Sequence, residues 1–156
     1  MSSLLERARE TLKIEIAGLE GLIERLGAEF EEAVKLLYAC QGKVILAGMG
    51  KSGLIAQKIA ATLTSTGTPA LFLHAGESTH GDLGIITKQD VVIAFSYSGE
   101  TNEVLQMIGH IQAIGVPLIA MTGKPDSTLA QAATVHLSIA VEKEACPLGL
   151  TPTASS

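Results

Sequence analysis

The chain has 156 residues and a net charge of −5; 47% of it is apolar, only 3% aromatic, and Trp is absent. That length builds one domain with a single sizeable core, and a core drawn from Ala, Val, Ile and Leu suits a layered α/β domain better than a β-sandwich. The acidic balance argues against nucleic acid as a partner, two cysteines make no disulfide framework, and neither a leader nor an apolar run of about 18 residues is present, so the cytoplasm is the expected compartment. Charge is uneven: 13 of the 27 charged residues fall in positions 1–36. The other 120 residues are unusually apolar, which argues against a monomer.

Leu5, Ala8, Leu12, Ile16, Leu19, Ile23 and Leu26 recur at spacings of three and four, which predicts a helix over residues 3–26. Its charges form a solvated face and its apolar stripe is core or subunit interface. Gly27 ends it, and a second helix from Ala28 is expected to bury Phe30, Ala33, Val34 and Leu37. Strands are predicted at 43–47, 70–73, 91–95, 117–121 and 135–139. Between them lie a glycine loop at 48–53, a helix from Leu54 to Ser65, and a polar loop from His74 to Gly84. A helix from Thr101 to Ile114 follows, stopped by Gly115, and then a short helix from Ser127. His136, in mid-strand, reads as core. Alternating strands and helices imply a parallel sheet with right-handed crossovers and helices on both faces.

In such a sheet, ligands bind beyond the carboxyl ends of the strands, where the strand order reverses. With the order 2-1-3-4-5, the loops 48–53 and 96–101 meet at that point. The second loop reads Ser96-Tyr97-Ser98-Gly99-Glu100-Thr101 and opens a helix. Backbone N–H groups at a helix start, with the hydroxyls of Ser96, Ser98 and Thr101, suit a phosphate. An ordinary helix cap by Ser98 or Thr101 is the competing reading. Gly48-Met49-Gly50-Lys51-Ser52-Gly53 imitates two nucleotide motifs. A nucleotide-hydrolase phosphate loop needs Gly at position 45, where Ile stands. The dinucleotide fingerprint needs an acidic residue at the end of the second strand, where Leu73-His74 stands.

The stretches Gly48–Gly53, Ser65-Thr66-Gly67-Thr68-Pro69, His80-Gly81-Asp82-Leu83-Gly84, Ser96–Thr101 and Glu144-Ala145-Cys146-Pro147-Leu148-Gly149 resemble the sugar isomerase (SIS) domain of D-arabinose 5-phosphate isomerases. The resemblance covers essentially the whole chain. It implies a three-layer αβα sandwich with a five-stranded parallel sheet, flavodoxin-like, preceded by N-terminal helices. Residues 1–156 are expected to form a single SIS domain, 1–40 helical and 41–156 the α/β core, with a pair of CBS domains following in full-length members. It implies interconversion of D-ribulose 5-phosphate and D-arabinose 5-phosphate, feeding octulosonate synthesis for lipopolysaccharide or capsule. It also implies a homotetramer with sites shared between subunits.

Matching the family's catalytic positions picks Lys51, Glu103 and Glu144; a further family His has no counterpart here. Such an isomerase needs a base, a group that steadies the enediolate, and one that opens the sugar ring. The helix dipole also favours Glu103 where it stands, and a surface ion pair with Lys143 is the plain alternative for Glu144. Glu100 sits inside the anion turn and is expected to point away. Substrate contacts are implied for Ser52, Gly67, Thr68, His74, His80, Ser96, Ser98, Gly99 and Thr101. No cofactor is required. A zinc site at His74 is implied too, and one or two imidazoles do not close such a site, so that metal would inhibit rather than catalyse. Cys146 reads as packing. The rival functions are a non-catalytic sugar-phosphate-sensing SIS module and a SIS isomerase of another sugar phosphate. No membrane partner is expected.

Overall fold

The computed structural model describes residues 3–78 and 81–155. The strands are β1 (Val44–Gly48), β2 (Ala70–His74), β3 (Val91–Phe95), β4 (Leu118–Thr122) and β5 (Val135–Ser138). All pair in parallel in the order β2-β1-β3-β4-β5. In register, Val44 lies between Ala70 and Val91, and Gly48 between His74 and Phe95. β1 and β3 are buried at every position, as continuous apolar runs covered on both faces must be.

The helices are α1 (Leu4–Arg25), α2 (Ala28–Ala39), α3 (Gly50–Ser65), the short α4 (Ala75–Ser78), α5 (Asn102–Ile114) and α6 (Thr128–Ala132). The strand pleat divides the core in two. Val44, Leu46, Val91 and Ile93 face Ala33 of α2 and Ala56 and Ala60 of α3. Ile45, Ala47, Val92 and Ala94 face Val104, Met107 and Ile111 of α5 and Leu129 of α6. Full burial of side chains such as Met107 and Ile111 stabilises the fold by about 1.5–3 kcal/mol each. The expected three-layer parallel architecture is the one observed.

Local expectations give way or narrow at five places. Helix α3 begins at Gly50, not Leu54. A Cβ on Gly48 would lie 3.1 Å from the Gly53 nitrogen, and one on Gly53 would lie 3.2 Å from the Gly48 oxygen. The glycines therefore bring a helix start against a strand end instead of making a loop. The polar segment after β2 carries α4 and a 3₁₀ turn at Asp82–Ile85, both too short to show a helical period. Finally, α1 buries no residue, so its stripe is not core within one chain. In α2 only Ala33 is buried, while Phe30 and Val34 are each 46% exposed and Leu37 is half-buried. His136, too, is only half-buried.

At the amino edge of the sheet a polar clasp joins β1 to β3. Asp90, 2% exposed, accepts from Lys43 N–H (2.9 Å), Thr87 N–H (2.7 Å) and Lys43 Nζ (2.8 Å). Gly42 leaves room for it, since a Cβ there would overlap the Asp90 carboxylate. Burial pushes the Asp90 carboxyl up, but the hydrogen bonds from Lys43 and Thr87 outweigh it and hold the group below its ordinary value.

Candidate functional site

At the opposite edge, the exits of β1 and β3 lie side by side, and each opens a helix. Neither helix start carries a side-chain cap. Thr101 occupies the N-cap position of α5, but its hydroxyl pairs with Ser96 Oγ at 2.8 Å. The ordinary-cap reading therefore fails for Thr101. Ser98 Oγ accepts from Glu100 N–H at 3.2 Å. The first-turn N–H groups of α5 are not taken by either hydroxyl, which leaves the positive end of the helix to an anion. Ser96 is 3% exposed and its Oγ also accepts Gly99 N–H at 3.1 Å. Gly99 has φ +67°, and a Cβ on it would overlap Ser127, so the turn needs glycine on two counts. Glu100 points away, as expected: its carboxylate accepts Thr128 N–H at 2.7 Å, capping α6.

A cleft of about 610 Å³ opens beside this turn. Lys51 and Ser52 from the first turn of α3, Tyr97 and Ser98 from the turn, and Glu144 from the loop after β5 all line it. Leu19 and Leu22 of α1, Ile55 and Ile59 of α3, and Met121 and Ile139 make the apolar part of its wall.

Glu144 is not in an ion pair with Lys143. Its Oε2 accepts Thr153 N–H (2.7 Å), Thr153 Oγ1–H (2.8 Å) and Ser155 N–H (3.4 Å). Burial raises the Glu144 carboxyl, but hydrogen bonds from Ser155 and Thr153 outweigh that and keep it below its ordinary value. The carboxylate thus stays ionised in the cleft wall and fastens residues 153–155 across it.

Other sequence candidates lie elsewhere. Ser96, Gly99 and Thr101 form the frame of the turn rather than the cleft lining. Glu103, half-buried in the first turn of α5, does not line the cleft of one chain. Gly67 and Thr68 precede β2, at the amino edge of the sheet, opposite the cleft. His74 ends β2 beside Gly48, with its Nδ1 buried and without a hydrogen-bond partner. His80 lies outside the described residues. Among the described residues no three His, Cys, Asp or Glu side chains gather as a metal site, and a single imidazole at His74 does not make a zinc site. The thiol of Cys146, half-buried, is drawn down to about 7 by the backbone N–H groups of Leu150, Leu148 and Thr151.

Sequence reading gave no role to Tyr97, Arg25, residues 149–152 or residues 154 and 155, all of which line the cleft. Tyr97 stands within the turn itself, its OH accepting Val141 N–H at 3.3 Å. Arg25 ends α1 and its Nη2 donates to Ala140 O at 2.5 Å. The hydroxyl run Thr151-Pro152-Thr153-Ala154-Ser155 was the signal for the last of these.

A doubly wound parallel sheet with two glycine- and serine-rich turns meeting at its switch point defines the class of α/β domains that bind ligands beyond the carboxyl ends of their strands, and the chain belongs to one family of that class: the SIS domain family, whose model matches residues 37–156. Among individual relatives, the chain is 50% identical over 151 residues to arabinose 5-phosphate isomerase KdsD of Salmonella typhi, covering 97% of this chain and 46% of that protein. The enzyme of the same name from Pseudomonas aeruginosa is 49% identical over 152 residues, covering 97% and 47%. The chain thus spans about half the length of these curated relatives. A solved structure of an E. coli CFT073 protein in complex with arabinose 5-phosphate superposes with a TM-score of 0.93 at 42% identity, covering 99% of this chain and 84% of that one. No helix among the described residues is long and apolar enough to cross a membrane.

Proposed function

We propose that the chain is the isomerase unit of an enzyme interconverting D-ribulose 5-phosphate and D-arabinose 5-phosphate. The observation that carries this reading is the meeting of Lys51 and Glu144 in one cleft beside the uncapped start of α5. The names of the similar proteins favour the same substrate. The phosphate sits on the turn 96–101, held by backbone N–H groups and hydroxyls. A base then moves a proton between C1 and C2 of the sugar, and a second proton passes between O1 and O2, through an enediolate. The Lys51 ammonium steadies the enediolate oxygens. Glu144 keeps Oε2 on Thr153 and Ser155, leaving Oε1 for the substrate.

Glu103 is the remaining carboxylate. It lies outside the cleft of its own chain, and it serves as base in an oligomer whose neighbouring copy completes the site. The exposed stripe on α1, with Leu5 68%, Leu12 59%, Ile16 53% and Ile23 64% exposed, is the surface for such an assembly, a homotetramer. His74 and His80 are further substrate contacts, Gly67 and Thr68 contacts made across the assembly. The product feeds octulosonate synthesis in the cytoplasm, and the 156 residues form one SIS domain, which a CBS pair follows in the full-length pattern.

The test is a panel of pentose, hexose and heptose phosphates offered to the full-length protein, with solvent deuterium entering C1 or C2 as the readout. Exchange into the pentose phosphates alone supports the reading. Exchange into a longer sugar moves the substrate, and binding without exchange turns the protein into a sensor. Mixing a Lys51→Ala chain with a Glu103→Gln chain tests the shared site: recovered activity supports it, and none sinks it.

A further inference from the structure

The connection from β4 to α6, residues 123–127, is outside the cleft lining, yet the segment from Met121 to Leu129 grips the phosphate turn along its length. Ser96 N–H donates to Met121 O at 3.2 Å, Gly123 N–H to Tyr97 O at 2.9 Å and Leu129 N–H to Gly99 O at 3.1 Å. Thr128 N–H reaches the Glu100 carboxylate at 2.7 Å, and Gly99 abuts Ser127. The shape of the anion turn is therefore copied from the shape of this connection.

What fixes the connection is Thr122, which is fully buried. Its hydroxyl donates to Lys124 O at 2.8 Å and accepts Lys124 N–H at 3.1 Å. Ser127 Oγ donates to the same Lys124 carbonyl at 2.7 Å and caps α6 by accepting Ala130 N–H at 3.4 Å. The third partner of the Thr122 hydroxyl is His136 Nε2, at 2.9 Å, reaching in from the edge strand β5. A hydroxyl has one proton, and that of Thr122 goes to Lys124 O. His136 must then be the donor, with its proton on Nε2.

We infer that His136 is a positioning residue for the sugar-phosphate turn, acting through Thr122 and the 123–127 connection. It touches neither the cleft nor the turn. Its donated hydrogen bond locks the buried hydroxyl that sets the connection, and the connection sets the anion donors of residues 96–101. This rests on the reading of that turn as the phosphate site.

The experiment uses the full-length protein with inorganic phosphate as the binding probe and ribulose 5-phosphate as substrate. Thr122→Val and His136→Leu remove the lock; Thr122→Ser and His136→Gln keep a hydroxyl and a donor. The expected result is a Kd for phosphate and a KM for substrate raised about tenfold in the first pair, with kcat little changed and affinity restored in the second pair. His136 is on an edge strand and half-buried, so His136→Leu carries the test if Thr122→Val fails to fold. A lower melting temperature with unchanged Kd and KM would leave His136 a merely structural residue and overturn the inference. Ser98→Ala with Thr101→Ala separates the two readings. If that double variant loses phosphate while His136→Leu keeps it, the turn stands and the positioning role falls; if the double variant binds phosphate as before, both fall.

Discussion

The two edges of one sheet handle their polar groups in opposite ways. At the amino edge, Asp90 takes three hydrogen bonds from Lys43 and Thr87 and is closed to solvent. At the carboxyl edge, two helices start without side-chain caps, and the N-cap hydroxyl of Thr101 is turned inward to Ser96. Both edges are made of short loops on β1 and β3, those entering the strands at one edge and those leaving them at the other. Satisfied donors hold a scaffold together, while donors left uncommitted at a helix start are what a ligand can use. The contrast predicts which changes damage function and which damage stability.

The largest effect is expected at the carboxyl edge. Glu103→Gln keeps shape but cannot accept a proton, so deuterium exchange into the sugar should slow by about 10²–10⁴, with phosphate affinity unchanged. Glu100→Gln, whose parent side chain caps α6, should cost far less. Equal loss in the two variants would mean the carboxylates have been assigned wrongly.

Next comes the turn. Ser98→Ala with Thr101→Ala removes the Ser98 hydroxyl as an anion donor, worth roughly 1.5–3 kcal/mol to a charged group, and the Ser96–Thr101 hydroxyl pair that frames the turn. Calorimetry should show sugar-phosphate binding weakened by at least about tenfold, with the melting temperature nearly preserved.

The amino edge should respond the other way. Asp90→Ala leaves buried N–H groups unpartnered and is expected to cost about 3 kcal/mol of stability in denaturant titration, with turnover per folded molecule unchanged. A loss of turnover in the folded fraction would erase the contrast between the edges. The pH dependence has a definite sign. Asp90 and Glu144 both have lowered carboxyl values. Their stabilisation is complete above the ordinary values of 3.8 and 4.5 and is lost as pH falls through the lower folded values. Asp90→Asn should flatten the acid limb of the stability curve.

The smallest effect uses the cysteines as probes of the two edges. Cys40 donates to Gln89 O beside the clasp, whereas Cys146, lowered to about 7, sits in the loop after β5. Iodoacetamide should label Cys146 first, with a rate rising through that value, because the thiolate is the nucleophile.

The five strands were legible because each is a short apolar run, with Gly or Pro beside β1, β2 and β4; the order 2-1-3-4-5 entered as a premise, under which the two Gly/Ser-rich loops meet. The turn 96–101 was legible for the same reason: hydroxyls and one Gly at a strand-to-helix junction. What was not legible depends on contacts distant in sequence. Nothing local links Lys43 to Asp90, or Glu144 to Thr153 through irregular backbone. The start of α3 at Gly50 was hidden because glycine signals a loop, whereas here it signals close approach of helix to strand. The fate of the α1 stripe was left open between core and interface, since periodicity shows that a face is apolar but not what covers it. Glu103 shares the helix of the turn, yet its position in sequence could not say that it stays out of its own cleft.

The pairing of β1 with β3, from Val44 against Val91 to Gly48 against Phe95, has a kinetic consequence. The two halves of the switch point come from strands separated by α3, β2 and the segment after it. That loop must close before either helix start acquires its neighbour, and long-range parallel pairing is slow to form. β1 and β2 can pair earlier, because the crossover between them is local. The anion site is thus among the last features to appear as the chain folds, and a sugar phosphate added during refolding reports completion of the sheet rather than its beginning.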